Sequence, residues 1–302
     1  MAQIPQVKTF FHPDTSTFSY VVWDGDTRRA AVIDSVMHYE ASSGRTSTHY
    51  ADQILQFIVE RELQVEWILE THAHADHVAA GAYIKSRQGG TTGIGVGIRR
   101  VQEHFRTVFN LERGFQADGS QFDHLFEDGE TFSIGGIQAR TIPTPGHTPD
   151  HLTYLIGDAA FVGDTLFMPD GGTARCDFPG GDAGTLYDSI QRVFDLPDAT
   201  RLFVLHDYAP GGREYRNETT VGEQKRQNIH VGGGRGREDF IRMRHERDGT
   251  LALPTLIVPS VQLNVRGGDF PPPEDNGISY VKVPLNQAQA FSSTIGKEPE
   301  IE

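Results

Sequence analysis

Apolar positions recur along the first third of the chain in short runs broken by turn residues. Residues 7–11, 18–23 and 30–34 read as strands, separated by a Pro/Asp/Thr segment and by Asp24-Gly25-Asp26. Over residues 50–61 the period changes, and Ile54, Leu55, Ile58 and Val59 fall at helical spacing. Residues 65–70 (VEWILE) form an apolar run that predicts a buried strand, ending directly at Thr71-His72. A helix is predicted over 78–87, closed by Gly89-Gly90, and another near 99–109. Short strands resume around 131–134, 137–142, 151–156 and 160–163. Residues 186–194 are helical, and 201–205 form a strand leading into His206-Asp207-Tyr208. Strands and helices in two successive halves predict two sheets packed face to face with helices outside.

Beyond Gly211 the texture changes. Residues 201–247 hold ten Lys/Arg against seven Asp/Glu, a local excess of +3 in a chain whose 27 basic and 41 acidic side chains sum to −14. That stretch reads equally as an anion-receiving edge or as a solvated helical face of mixed charge. The Gly232-Gly233-Gly234-Arg235-Gly236 loop lacks the preceding strand that a phosphate-cradling fingerprint requires. From Phe270 (FPPPEDNG) the chain is Pro-rich and expected to be extended. The expectation is one domain over 1–302, with a core at about 6–210, a helical and loop region at 211–269 flanking the active site, and the tail at 270–302.

Composition narrows the classes. One cysteine in 302 residues excludes a disulfide scaffold. No stretch approaches the ~18 consecutive apolar residues of a spanning helix, so no membrane partner is expected. The acidic balance argues against nucleic acid as a partner. The start, MAQIPQVKTFF, lacks a basic segment followed by an apolar signal core, so export is not indicated and a cytoplasmic location is expected. Oligomeric state is not legible, and a homodimer is compatible with these features.

The candidate chemistry lies in the histidines. Thr71-His72-Ala73-His74-Ala75-Asp76-His77 puts three imidazoles and a carboxylate within six positions, between a buried strand and a helix. A loop end of this kind presents several ligands to one point, and imidazole with carboxylate suits Zn, Fe or Mn rather than Ca or Mg. His147 sits in a rigid turn (TPGHTP), Asp164 follows an apolar strand in Gly163-Asp164-Thr165, and His206 closes residues 201–205. Each alone is ordinary turn or cap chemistry. Together they place a ligand type at the C-terminal end of four strands, where loops gather on one rim of a sheet.

In order, His72-x-His74-x-Asp76-His77, His147 in PGHT, Asp164 in GDT and His206 resemble the ligand signature of the metallo-β-lactamase superfamily, over roughly residues 6–210. The resemblance implies an α/β (α+β) four-layer αββα sandwich with metal in the cleft between the sheet edges. Within the superfamily, THAHADH, GDTLF, GTARCDF and HDY are similar to the persulfide dioxygenase and β-lactamase-hydrolase-like branch. That branch implies one Fe(II) per chain held by His72, His147 and Asp164. His74, Asp76, His77 and His206 then stand as outer-shell or second-site candidates, and Asp76, His77 and His206 carry the catalytic role. Arg175 and Tyr208 match positions that touch substrate. The implied substrates are glutathione persulfide, or a related small persulfide, and O₂. The chain departs from the mitochondrial-type enzymes at Thr173, where they hold a cysteine, while Cys176 follows Arg175. Cysteine-based modulation is therefore not carried over, and Cys176 is expected to pack as a small apolar residue.

The rival implied by the same signature is a glyoxalase II-type thioester hydrolase with two Zn or mixed Zn/Fe. It would use His72, His74 and His147 on one ion, Asp76, His77 and His206 on the other, and Asp164 as the bridge. A non-catalytic metal-binding sensor is a further alternative, disfavoured because a purely structural site would close its coordination sphere.

Overall fold

A computed structural model of the chain describes residues 4–292. Strand β1 (Gln6–His12) pairs antiparallel with β2 (Thr17–Trp23), and β2 with β3 (Arg29–Ile33). A small hairpin, β4 (Val36–Glu40) and β5 (Arg45–Ser47), precedes helix α1 (His49–Glu60) and strand β6 (Gln64–Leu69), which lies parallel to β3. The two-residue β7 (Val78–Ala79) joins β4, and helix α2 (Gly81–Gln88) leads to β8 (Thr91–Gly95), parallel to β6. Helix α3 (Ile98–Val108) and β9 (His124–Phe126) complete a sheet of order β1-β2-β3-β6-β8-β9.

The second half builds β10 (Thr131–Ile134), β11 (Ile137–Pro143), β12 (Leu152–Ile156) and β13 (Ala159–Phe161) as an antiparallel run. Helix α4 (Ala183–Phe194) crosses over to β14 (Arg201–Phe203), parallel to β13, and β15 (Glu218–Thr220) ends the second six-stranded sheet. Helices α5 (Val221–Gln227), α6 (Arg237–Asp248) and α7 (Ile257–Asn264) follow.

Strand periodicity builds the layers. Tyr20 and Val22 face the second sheet, while Val21 between them faces α1; Ala31 and Ile33 alternate in the same way with Ala30 and Val32. From the second sheet Tyr154, Ile156, Ala159, Phe161 and Phe203 meet those side chains in a shared core, each large one contributing roughly 1.5–3 kcal/mol by burial. Ala160 and Leu202 point outward, onto Leu186, Ile190 and Val193 of α4 and Phe240 of α6. The result is the expected αββα sandwich.

Three expectations are revised. The helix expected over 78–87 is divided: Val78 and Ala79 pair with β4, the Ala79 N–H donates to Asn264 Oδ1 at 2.8 Å, and the helix begins at Gly81. The buried interior extends past the 6–210 span, because Val221, Val231, Phe240, Ile257, Val261, Leu263 and Val265 all join hydrophobic clusters. The tail is extended only in part, since Phe291 is buried against Phe105 and Phe109. The rest of the tail, 293–302, lies outside the described residues. Among the described residues no helix is long and apolar enough to cross a membrane.

Candidate metal centre

The four expected ligand elements converge. His72, His74, Asp76 and His77 lie in the loop after β6, His147 follows β11, Asp164 follows β13 and His206 follows β14. Each sits just past the C-terminal end of a strand. Asp164 stands in a single 3-10 turn that needs Gly163 at φ 48°, where an added Cβ would lie 2.6 Å from His151 Nε2 and Thr71 Oγ1. Thr71 ties the two sheets together at this rim, its carbonyl accepting from Leu152 N–H at 2.8 Å.

Each ligand is oriented by a second contact. His147 donates from Nδ1 to the Arg175 carbonyl at 2.6 Å, leaving Nε2 3.4 Å from Asp164 Oδ2. His72 Nε2 lies 3.9 Å from the same oxygen. His151 stacks on His72 and accepts the Asp164 backbone N–H at 2.9 Å. Burial first, then neighbouring His74, His151 and His147, pushes the His72 pKa well below its ordinary value. His72 is therefore neutral, the form that ligates. One ligand atom from each of His72, His147 and Asp164 lies within 4.8 Å of the others.

His74 is handled differently. Its Nε2 stands 3.1 Å from both Asp34 Oδ1 and Glu70 Oε2. Burial disfavours the charged ring, but the two carboxylates outweigh it and raise its pKa. Asp34 reaches this place from a left-handed backbone (φ 50°), strain of the kind that persists where surrounding contacts over-determine it.

A second triad forms alongside. Asp76 Oδ1 lies 3.3 Å from His77 Nδ1, and Asp76 Oδ2 lies 3.2 Å from His206 Nε2, which is itself 3.5 Å from Asp164 Oδ1. Burial would raise the Asp76 pKa, but His206 and His77 hold it below the ordinary carboxylate range.

A metal fits these residues on two grounds. His72 Nε2, His74 Nδ1, His77 Nε2, His206 Nε2 and Asp164 Oδ1 are buried with no hydrogen-bond partner among the described residues, a grouping rare without a function. Two ligands about 2.1 Å from one ion stand about 3.0–3.4 Å apart at octahedral or tetrahedral angles. The His147–Asp164 and His206–Asp76 separations of 3.4 and 3.2 Å match that spacing, and His206–Asp164 at 3.5 Å and His72–Asp164 at 3.9 Å stand slightly wider.

The triads open into a cleft of about 600 Å³, within the usual range for small-molecule sites. Arg175 lines it, with Nε and Nη2 engaged by Asp177 at 2.5 and 2.7 Å and Nη1 by the Ala252 carbonyl at 2.6 Å. Tyr208 lines the rim at 60% exposure and stacks on His206. Cys176 is buried as expected, and also donates from Sγ to Asp248 Oδ2 at 3.2 Å.

Several residues of the site are absent from the motif. Asn264 donates to the carbonyls of both His74 and His77 at 2.8 Å, pinning the ligand loop from α7. Asp150 accepts the Ala73 N–H at 2.7 Å. Asp34, Glu70 and His151 stand beside strand ends and motif residues, a positional signal; Asn264 has none.

Comparison with known proteins agrees with this geometry. The family description "Metallo-beta-lactamase superfamily" matches residues 12–206. A probable metallo-hydrolase of Burkholderia pseudomallei is 49% identical over 290 residues, covering 93% of this chain and 99% of the relative. A Dictyostelium discoideum protein named glyoxylase B2 is 47% identical, covering 95% and 99%. The mitochondrial persulfide dioxygenase ETHE1 of Mus musculus is 30% identical, covering 88% and 90%. Among solved structures, ETHE1 from Myxococcus xanthus superposes with a TM-score of 0.70 at 31% identity, covering 87% of this chain and 100% of that one. With the sandwich, the paired triads and these relatives in agreement, the chain belongs to the metallo-beta-lactamase superfamily.

Proposed function

We propose that this protein is an iron-dependent persulfide dioxygenase, oxidising glutathione persulfide or a related small persulfide. In balance, RSSH + O₂ + H₂O gives RSH and sulfurous acid, which ionises to sulfite. The terminal sulfur gives four electrons to O₂, the S–S bond breaks, and the thiol keeps the inner sulfur.

The observation that carries the reading is the buried two-histidine, one-carboxylate set of His72, His147 and Asp164 beside the cleft. This donor set is the one that suits Fe(II) with open positions. Bound iron(II) supplies the one-electron steps that O₂ requires and that zinc cannot. The remaining work belongs to the chain. The Arg175 carbonyl and His151 hold the ligands in register. Asp76, His77 and His206 form a buried carboxylate–imidazole group able to take up the persulfide proton and deliver it to the leaving thiol. Tyr208 and Arg175 form the wall for the rest of the substrate. In this reading residues 1–302 are one catalytic domain, working in the cytoplasm on a small molecule, with neither nucleic acid nor membrane as partner.

Glyoxalase II-type thioester hydrolysis is the second reading. It is favoured by the ready-made Asp76–His77–His206 triad and by the glyoxylase-named relative. Metal quantification of protein expressed without added zinc, paired with oxygen uptake on glutathione persulfide, separates the two. One iron per chain and sulfite formed mole for mole with O₂ consumed is the expected result. Two metal ions per chain with S-lactoylglutathione cleavage and no oxygen uptake would replace the first reading by the second.

A further inference from the structure

A further group of ligand-type residues lies on the cleft wall and has no part in the reaction above. His12 ends β1, Asp14 sits in the turn to β2, and His38 comes from β4; all three line the cleft mouth with Asp76 and His77. One ligand atom from each lies within 4.8 Å of the others. His12 is 4% exposed, and its Nε2 has no partner among the described residues. Its Nδ1 hydrogen-bonds Thr15 Oγ1 at 2.9 Å, so Nε2 is the ring nitrogen left to reach an ion. His38 Nδ1 stands 3.1 Å from Asp14 Oδ2 without hydrogen-bond alignment, inside the spacing of two ligands on one ion.

We propose that His12, Asp14 and His38 form an accessory site for a divalent first-row transition ion, zinc above all, at the mouth of the cleft. Two imidazoles and a carboxylate are borderline donors that favour such an ion over Mg²⁺ or Ca²⁺. Thr15 plays the part of the outer hydrogen-bond partner that orients a ligating imidazole. The bound ion cross-links the β1–β2 turn to β4. That turn also reaches the main centre, because Thr15 Oγ1 lies 2.7 Å from Thr17 Oγ1, and Thr17 Oγ1 lies 3.4 Å from His206 Nδ1. The accessory ion therefore steadies the element that orients His206. The proposal does not depend on which reaction the main centre runs.

Zinc itself is the probe. Full-length protein with its main centre loaded is dialysed against micromolar Zn²⁺. Bound zinc is counted and thermal unfolding recorded for wild type, His38→Ala, Asp14→Ala and His77→Ala. The first two substitutions sit on partly exposed side chains, and their melting without zinc checks that the fold is retained. The expected result is one zinc per chain, with a zinc-dependent rise in melting temperature, in wild type and His77→Ala. Both are lost in His38→Ala, and affinity falls at least tenfold in Asp14→Ala. A wild-type zinc count and thermal shift in His38→Ala overturns the proposal and leaves His38 and Asp14 as a surface ion pair. So does loss of the extra zinc in His77→Ala alone, which assigns the ion to the Asp76–His77–His206 triad.

Discussion

His147 shows how much a single side chain carries in this centre. It offers one imidazole to the proposed three-ligand set, and its other nitrogen is bound to the Arg175 carbonyl. Replacing it with Ala removes a ligand without opening the sandwich core, because it lies in the loop after β11. We expect His147→Ala to bind iron at least about 100-fold more weakly and to lose activity, with melting of the metal-free chain close to wild type. Metal analysis and calorimetry check both halves. Loss of fold together with loss of metal would instead mark the site as structural. The clustering was legible at this scale, since the structure brings His72, His147 and Asp164 together in one group and Asp76, His77 and His206 in a second. The atoms were not: that His74 is held through Nε2 between Asp34 and Glu70 depends on two side chains that the motif does not contain.

Among elements, α6 is the least expected contributor. Its Arg244 and Asp248 form an ion pair at 1% and 2% exposure, and Asp248 also accepts the Cys176 backbone N–H at 2.9 Å. The 173–177 segment that orients His147 is thus fastened to a helix more than sixty residues further on. Asp248→Ala leaves Arg244 buried without its carboxylate, a change expected to cost about 3–5 kcal/mol, read by urea unfolding, and to weaken metal binding as the Arg175 carbonyl shifts. Unchanged unfolding would show that the segment is held by other contacts. Periodic elements were legible in the sequence: β6 and helices α1, α3 and α4 appear within a few residues of their expected bounds. Strand β8 escaped because it reads Thr-Thr-Gly-Ile-Gly. Its glycines answer tertiary approaches, with Phe126 2.6 Å from a Cβ at Gly93 and the Asp150 carbonyl 2.4 Å from one at Gly95. The β4–β5 hairpin and the charged edge strand β15 also lack the apolar alternation that marks a strand.

The whole molecule responds to acid through histidines buried in neutral form. His230 is 6% exposed and accepts the Thr173 N–H at 2.9 Å. Burial, then Arg244, Arg247 and Arg235, against the opposing Asp248, lowers its pKa to about 4. The unfolded chain, with a histidine pKa of about 6.5, takes up this proton first as pH falls. The contribution is therefore complete above about pH 6.5 and lost between there and pH 4, on the order of 3 kcal/mol. Urea midpoints of wild type and His230→Gln at pH 7.5 and 4.5 test the sign. Wild type should lose more stability than the variant on acidification, and an equal loss would remove His230 from the account.

The sequence by itself determined the order of the ligand-type residues and their places at strand ends, because strand period and motif spacing are short-range properties of the chain. It also determined the sandwich, through two successive groups of strands with helices. Only the tertiary structure decided which nitrogen each histidine keeps free and that Asn264 pins the ligand loop from 190 residues away. It also decided that Arg175 is engaged by Asp177, that Tyr208 stands at the rim, and that helices beyond residue 210 close the core. Those outcomes rest on hydrogen-bond geometry and burial between residues far apart in the chain, to which a local pattern is blind.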